Sequence, residues 1–226
     1  DPLQDSWHYP EGVGQDGFYV AKYNLDADYI WSFTLGDRLL ENPSYRDFTI
    51  DDLGNILICG TFDDQFDVDP TSSVQSLTSQ GSSDAFLISF DPNGDLDWSL
   101  SSGGTYDQNY EEVFAYGNRI YVAGEFYQGM NLDPSSPTIT PSNGSDDICV
   151  VTFDLNGNYL NGFGYGGTGI ERAHDLCAFG NFFYAYSQIT SATADFDPTA
   201  GLDIQSKGSG YANAGISCFS NISNYE

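Results

Sequence analysis

The dipeptide Asp-Pro returns along this chain at a nearly constant interval. It stands at Asp1-Pro2, Asp69-Pro70, Asp133-Pro134 and Asp197-Pro198, with spacings of 68, 64 and 64 residues. Related residues precede three of the four: Phe66-Asp67-Val68, Met130-Asn131-Leu132 and Asp195-Phe196. A fixed period of this size means one supersecondary unit copied along the chain, so the fold must be an array of that unit. Such repetition also argues against an enzyme, because a catalytic centre usually needs residues that break the repeat.

The unit reads as four short strands. In the clearest copy these are residues 111–117, 119–126, 147–153 and 158–163, with the Asp-Pro segment as a long connection between the second and third. The copy before it has residues 47–50, 56–60, 85–90 and 96–100, and the copy after it has 173–177, 182–186 and 214–219 with the fourth strand missing or degenerate. At the front, residues 18–23 and 29–33 match only the third and fourth strands. Asp91-Pro92-Asn93-Gly94 and Asp154-Leu155-Asn156-Gly157 read as hairpin turns, in which Asn-Gly supplies positive φ angles. No stretch has a sustained helical period with caps.

The pattern predicts an all-β fold, a β-propeller of four-stranded antiparallel blades with a repeat of about 64 residues. The whole chain, 1–226, is one propeller or propeller segment, with repeats near 1–68, 69–132, 133–196 and a partial 197–226. A β-solenoid is the competitor, but its turns are usually shorter. The strand count does not close a ring. A segment of a longer ring, a four-bladed ring with one defective blade, or strands shared between chains in a head-to-tail polymer would each account for it.

Several of these residues carry a resemblance. Gly117-Asn118, Tyr121-Val122-Ala123-Gly124, Asp195-Phe196-Asp197-Pro198, Asp84-Ala85-Phe86, Trp98 and Gly103-Gly104 together resemble bacterial SBBP-type β-propeller repeats. The resemblance covers nearly the whole chain, and Ser187 departs from it where the repeat has the glycine equivalent to Gly124. It implies the propeller fold and a secreted or surface protein of bacterial origin, often part of a long multidomain chain.

Composition narrows the partners. Thirty-three acidic residues against six Lys and Arg give a net charge of −27. Nucleic acid and anionic lipid need basic residues, so neither is an expected partner. Sixteen Tyr, 16 Phe and 3 Trp support a packed core and exclude an acidic disordered chain. No apolar run is long enough to cross a bilayer as a helix, so no membrane insertion is expected. The chain begins at Asp1 without a leader-like segment, which reads as a mature form or a fragment. The expected location is extracellular or cell-surface.

The Asp-Pro loops carry the one candidate metal set. Asp67 with Asp69, Asn131 with Asp133, and Asp195 with Asp197 place hard oxygen ligands two residues apart, a spacing that can converge on Ca²⁺. The competing reading is a repeated turn in which Asp bonds backbone N–H groups and Pro fixes the bend. No cofactor is required. Cys59, Cys149, Cys177 and Cys218 share no repeat position and read as small buried strand residues, with disulfides as the alternative. His174 stands alone, and no Gly-x-Ser-x-Gly elbow accompanies it.

The expected function is therefore a non-enzymatic extracellular structural protein that assembles with itself, head to tail, into filaments or arrays. One alternative is an adhesion module binding polysaccharide through loop aromatics such as Trp7, Tyr106, Tyr110, Tyr127, Tyr165 and Tyr211. Another is a lyase or hydrolase, which would require a carboxylate or His cluster at the propeller axis.

Overall fold

A computed structural model describes residues 18–35, 43–180, 182–197, 204–206, 208, 210 and 212–220. Asp1-Pro2, Pro198, Trp7 and Tyr211 lie outside them. Every regular element among the described residues is a β-strand, and every pairing is antiparallel.

The first sheet is β1 (Phe18–Tyr23) with β2 (Tyr29–Leu35). The second runs β3 (Ser44–Ile50), β4 (Ile56–Asp67), β5 (Ser76–Phe90) and β6 (Leu96–Ser102) in order. The third repeats that order with β7 (Gln108–Tyr116), β8 (Arg119–Tyr127), β9 (Asp146–Asp154) and β10 (Tyr159–Gly167). The fourth has β11 (Glu171–Phe179), β12 (Phe182–Ile189) and β15 (Asn213–Ser220). The short hairpin β13 (Thr193–Asp195) and β14 (Ile204–Ser206) joins the edge of the third sheet through β10.

The sheets lie face to face in chain order, and strict alternation along the strands builds the three cores. On β4, Ile56 and Ile58 point back to the first sheet while Leu57 and Cys59 point forward to the third. On β8, Ile120 and Val122 point back while Tyr121 and Ala123 point forward to the fourth. Strands buried on both faces lose the usual apolar-polar alternation, which is why β5, β8 and β9 read as continuous apolar runs. The same tie recurs between neighbours. Trp31 Nε1 donates to the Pro92 carbonyl at 3.3 Å, and Trp98 Nε1 donates to the Leu155 carbonyl at 3.1 Å. Each indole thus reaches the hairpin turn of the next sheet.

Three expectations need correction. The uniform four-stranded blade holds for the second sheet alone: the third gains the β13–β14 hairpin, while among the described residues the first sheet has two strands and the fourth three, as their strand patterns predict, and the sheets form a row in which no closed ring is seen. The hairpin turns use one left-handed residue each, the glycine, with φ of 89° at Gly94 and 77° at Gly157; neither Asn93 nor Asn156 is left-handed. Asp91 and Asp154 close those turns instead, each Oδ1 accepting two backbone N–H groups. Finally, the Asp-Pro segment is not a plain connection. Pairing of β4 with β5 continues from Ile56↔Phe90 out to Asp67↔Ser76, so the motif caps a long arm.

Candidate functional site

The arms are the most repeated construction in the molecule. The second copy's arm closes with the Met130↔Thr140 bridge, and the third copy's arm is the β13–β14 hairpin with Asp195↔Ile204. In each, apolar residues flank the central Asx. Phe66 and Val68 are buried between the first and second sheets, and Met130 and Leu132 between the second and third. Ala194 is buried between the third and fourth, with Phe196 packed beside it. The arm backbone also bonds to the preceding sheet: Asn131 N–H donates to the Gly103 carbonyl at 2.8 Å, and Asp195 pairs with Gly166. Each arm is a clasp laid across a sheet-to-sheet junction.

The six residues proposed as metal ligands sit at the arm tips, where the oxygens of Asp67, Asp69, Asn131, Asp133 and Asp195 hold turns. Asp67 Oδ1 accepts the N–H of Asp69 at 3.2 Å and of Gln75 at 2.9 Å. Asp69 Oδ1 accepts Thr71 N–H at 2.8 Å. Asn131 Oδ1 accepts Asp133 N–H at 3.1 Å, and Asp133 Oδ1 accepts Ser135 N–H at 2.9 Å. Asp195 Oδ1 accepts Asp197 N–H at 3.0 Å. These are Asx turns, the local bond that makes Asp and Asn turn residues. The three pairs lie at three different junctions and do not converge. Among the described residues no group of three or more His, Cys, Asp or Glu side chains is arranged to hold a metal ion.

A buried carboxylate locks the return of the first two arms. Asp84 Oδ2 accepts Gln80 N–H at 3.0 Å, and at the same place in the next copy Asp147 Oδ2 accepts Asn143 N–H at 2.6 Å. Both side chains are fully enclosed, and burial pushes their pKa up, to about 6 for Asp147. Gly103 and Gly166 lie directly against them. A Cβ on Gly103 would stand 2.0 Å from the Asp84 carboxylate, and one on Gly166 would stand 2.4 Å from Asp147 Oδ1. The Gly-Gly ending of the repeat is thus the space its buried Asp requires.

A second set of carboxylates follows the first strands. Each of β3, β7 and β11 carries a register shift, and the residue after it is acidic: Asp47, Glu112 and Asp175. Asp47 Oδ2 reaches across to accept Val113 N–H at 3.0 Å. Burial raises the Glu112 pKa to about 7, helped by the charges of Asp47 and Asp175, a hydrogen bond with Asp47, and the charge of Glu111. Arg46 Nε lies 3.6 Å from Glu111 Oε1, and Arg172 Nη1 lies 3.2 Å from the buried Glu125. Burial lifts Glu125 to about 7 against the pull of Arg172. Glu125 Oε1 also accepts Ala173 N–H at 3.2 Å, joining the third sheet to the fourth. This set escaped the sequence reading, although the signal was there. An acid recurs at one phase of each first strand, between the Gly-Gly ending and the hairpin.

The remaining candidates divide by exposure. Tyr110 and Tyr165 are buried in the cores and cannot meet a sugar, whereas Tyr106 packs edge-on against Tyr127 at 5.3 Å, and Tyr106 is exposed. Cys59 and Cys149 are buried, as expected of small strand residues; Cys177 and Cys218 are exposed, and none of the four is in a disulfide. The His174 ring lies 5.7 Å from Tyr186. Cys177, Cys218, His174 and Tyr186 all belong to the outward face of the fourth sheet, where Phe179, Phe182 and Ile216 are also exposed.

Comparison with models of protein families finds none that matches the chain. A search of curated proteins finds no match either.

Proposed function

We propose that this chain is a structural repeat protein of the β-propeller type, extracellular or displayed on a cell surface, whose blades serve as an assembling scaffold. One observation carries the reading: the Asp-Pro motif, the most repeated feature of the sequence, is spent on joining sheets. Its apolar flanks fill each junction and its Asx oxygens cap the arm. A motif whose side chains are consumed by packing and turn closure does not depend on a ligand for its repetition. The high negative charge keeps separate particles apart in solution and suits a well-hydrated surface layer.

Electron microscopy of the purified chain, paired with its native mass in solution, tests the proposal. Filaments, arrays or a mass that climbs with concentration support it. A uniform monomer at high concentration refutes it. Repeating the mass measurement with a chelator asks whether a divalent cation takes part at the arm tips.

The row of Asp47, Glu112 and Asp175 supports a second reading, a polysaccharide-cleaving enzyme. A half-buried acid with a pKa near 7 beside a second carboxyl group is the arrangement that general acid catalysis uses. Turnover of an acidic or neutral glycan that Glu112→Gln abolishes would establish it.

A further inference from the structure

The outward faces of the first and fourth sheets are two halves of one interface. We infer that a second copy of this chain docks the outward face of its β1–β2 sheet onto the outward face of β12–β15, in the order the sheets follow within a chain. The inference deepens the scaffold reading above and rests on it.

The fourth sheet supplies the forward half. Aligning the hairpin glycine Gly117 with Gly180 places Tyr121 and Ala123 on Tyr184 and Tyr186, and aligning Phe153 with Phe219 places Val150 on Ile216. The strand registers agree independently. Ala123 pairs with Val150 as Tyr186 pairs with Ile216, and Tyr121 pairs with Thr152 as Tyr184 pairs with Cys218. In the third sheet these forward residues are covered by the fourth: Tyr121, Ala123 and Val150 are all buried. In the fourth sheet their counterparts face outward, and Ile216 is 75% exposed.

The first sheet supplies the backward half. Tyr19↔Thr34, Ala21↔Ser32 and Tyr23↔Tyr29 repeat the pairing of Phe86↔Ser101, Ile88↔Ser99 and Phe90↔Leu96, down to a register shift at the same step. Phe86, Ile88 and Phe90 point back and are fully buried against the first sheet. Tyr19, in the place of Phe86, is 52% exposed. Among the described residues, the junction formed three times therefore has one unmatched half on each outer sheet, and both halves carry aromatic side chains.

Charge opposes the contact, because each copy carries −27. The docking faces bear few charged residues, Asp175 on β11 among them, so the repulsion is long-ranged and screened by salt. Assembly should strengthen as ionic strength rises.

The test uses two chains, both with Cys177→Ser and Cys218→Ser, one carrying Ala21→Cys and the other Ile216→Cys. Mixed in oxidising buffer at 0.5 M salt (a screening of roughly 4 Å), they should form a disulfide-linked heterodimer within the assembled fraction. Ile216→Asp, at an exposed position, should reduce the assembled mass fraction at least tenfold with an unchanged circular dichroism spectrum. Assembled particles without the heterodimer would overturn the inference while leaving the scaffold reading intact. A single chain carrying both cysteines that closes on itself at monomer mass would overturn it as well, by showing that the two faces meet within one molecule. A chain that never assembles would remove both.

Discussion

The second and fourth sheets are built from the same strand pattern and meet opposite fates. In the second, Leu87 on β5 has a sheet on either side and is 0% exposed; in the fourth, Ile216 at the matching place on β15 looks outward and is 75% exposed. The residue types are alike, so composition did not decide which is core. Position in the row did. A strand of this kind is apolar on both faces because it is written to be sandwiched, and it becomes a half-wet surface wherever its neighbour is not supplied. The difference separates what the repeat encodes, a two-faced sheet, from what the array encodes, how many of those faces are covered.

The largest effect expected from this comparison is on stability. Phe86→Ala should cost about 3–5 kcal/mol, because a fully enclosed ring in contact with Tyr45, Phe62 and Phe66 leaves a cavity its neighbours cannot fill. Phe182→Ala, the same deletion on the open face, should stay within about 0.5 kcal/mol in the dispersed chain. Denaturant melts of both variants measure the gap. Equal losses would mean that the fourth sheet's outward face is covered in solution.

The next effect is a pH dependence that comes from the junctions. Glu112 and Glu125 have pKa values raised from 4.5 to about 7, and Asp147 from 3.8 to about 6, each chiefly by burial. For a carboxyl raised on folding, the unfolded chain releases its proton first, so stability falls as pH rises. The contribution is complete below the unfolded values and is lost as pH climbs through the folded ones. The folded chain should therefore melt at a higher temperature at pH 5 than at pH 8. Glu112→Gln should flatten part of that slope. A melting temperature that rises from pH 5 to pH 8 would show that the junction carboxylates are hydrated and not enclosed.

Much of this was legible in the sequence, and the misses have physical causes. The hairpins around Gly94 and Gly157 and the apolar runs of β5, β8 and β9 were visible because local turn chemistry and β-propensity act within a few residues. The outer half of β5, residues 76–83, was not, because Ser, Thr and Gln there make a polar arm held by backbone pairing with β4 and not by an apolar stripe. The β13–β14 hairpin was missed for a different reason. It joins the sheet before its own, a choice made by the fit of Ala194 and Asp195 against Gly166 and Gly167, which no local pattern records. The carboxylates at Asp47, Glu112 and Asp175 were hidden among 33 acids, where only their shared phase sets them apart.

The smallest effect belongs to the hairpin turns, which tests how far the repeated units are interchangeable. Asp154 is pulled to a lower pKa: a slight burial pushes it up, and the bonds from Asn158 and Asn156 outweigh it. Its Oδ1 accepts the N–H groups of Asn156 and Asn158, both at 2.9 Å. In the first sheet Asn24 does the same work, its Oδ1 accepting Asp26 N–H at 3.0 Å and Asp28 N–H at 2.8 Å. Asp154→Ala should lower the melting temperature by about 2–4 °C at pH 7, the shift that a loss of roughly 1 kcal/mol gives in a chain of this size. Asp154→Asn should keep most of that, since an amide oxygen already serves at Asn24. A carboxyl lowered on folding contributes above its unfolded value of 3.8 and loses that contribution as pH falls through the folded one. The alanine variant should therefore converge on the parent in strong acid. If Asp154→Asn were as damaging as Asp154→Ala, the negative charge and not the acceptor geometry would be what closes this turn, and the first and third sheets would be using different chemistry for the same bend.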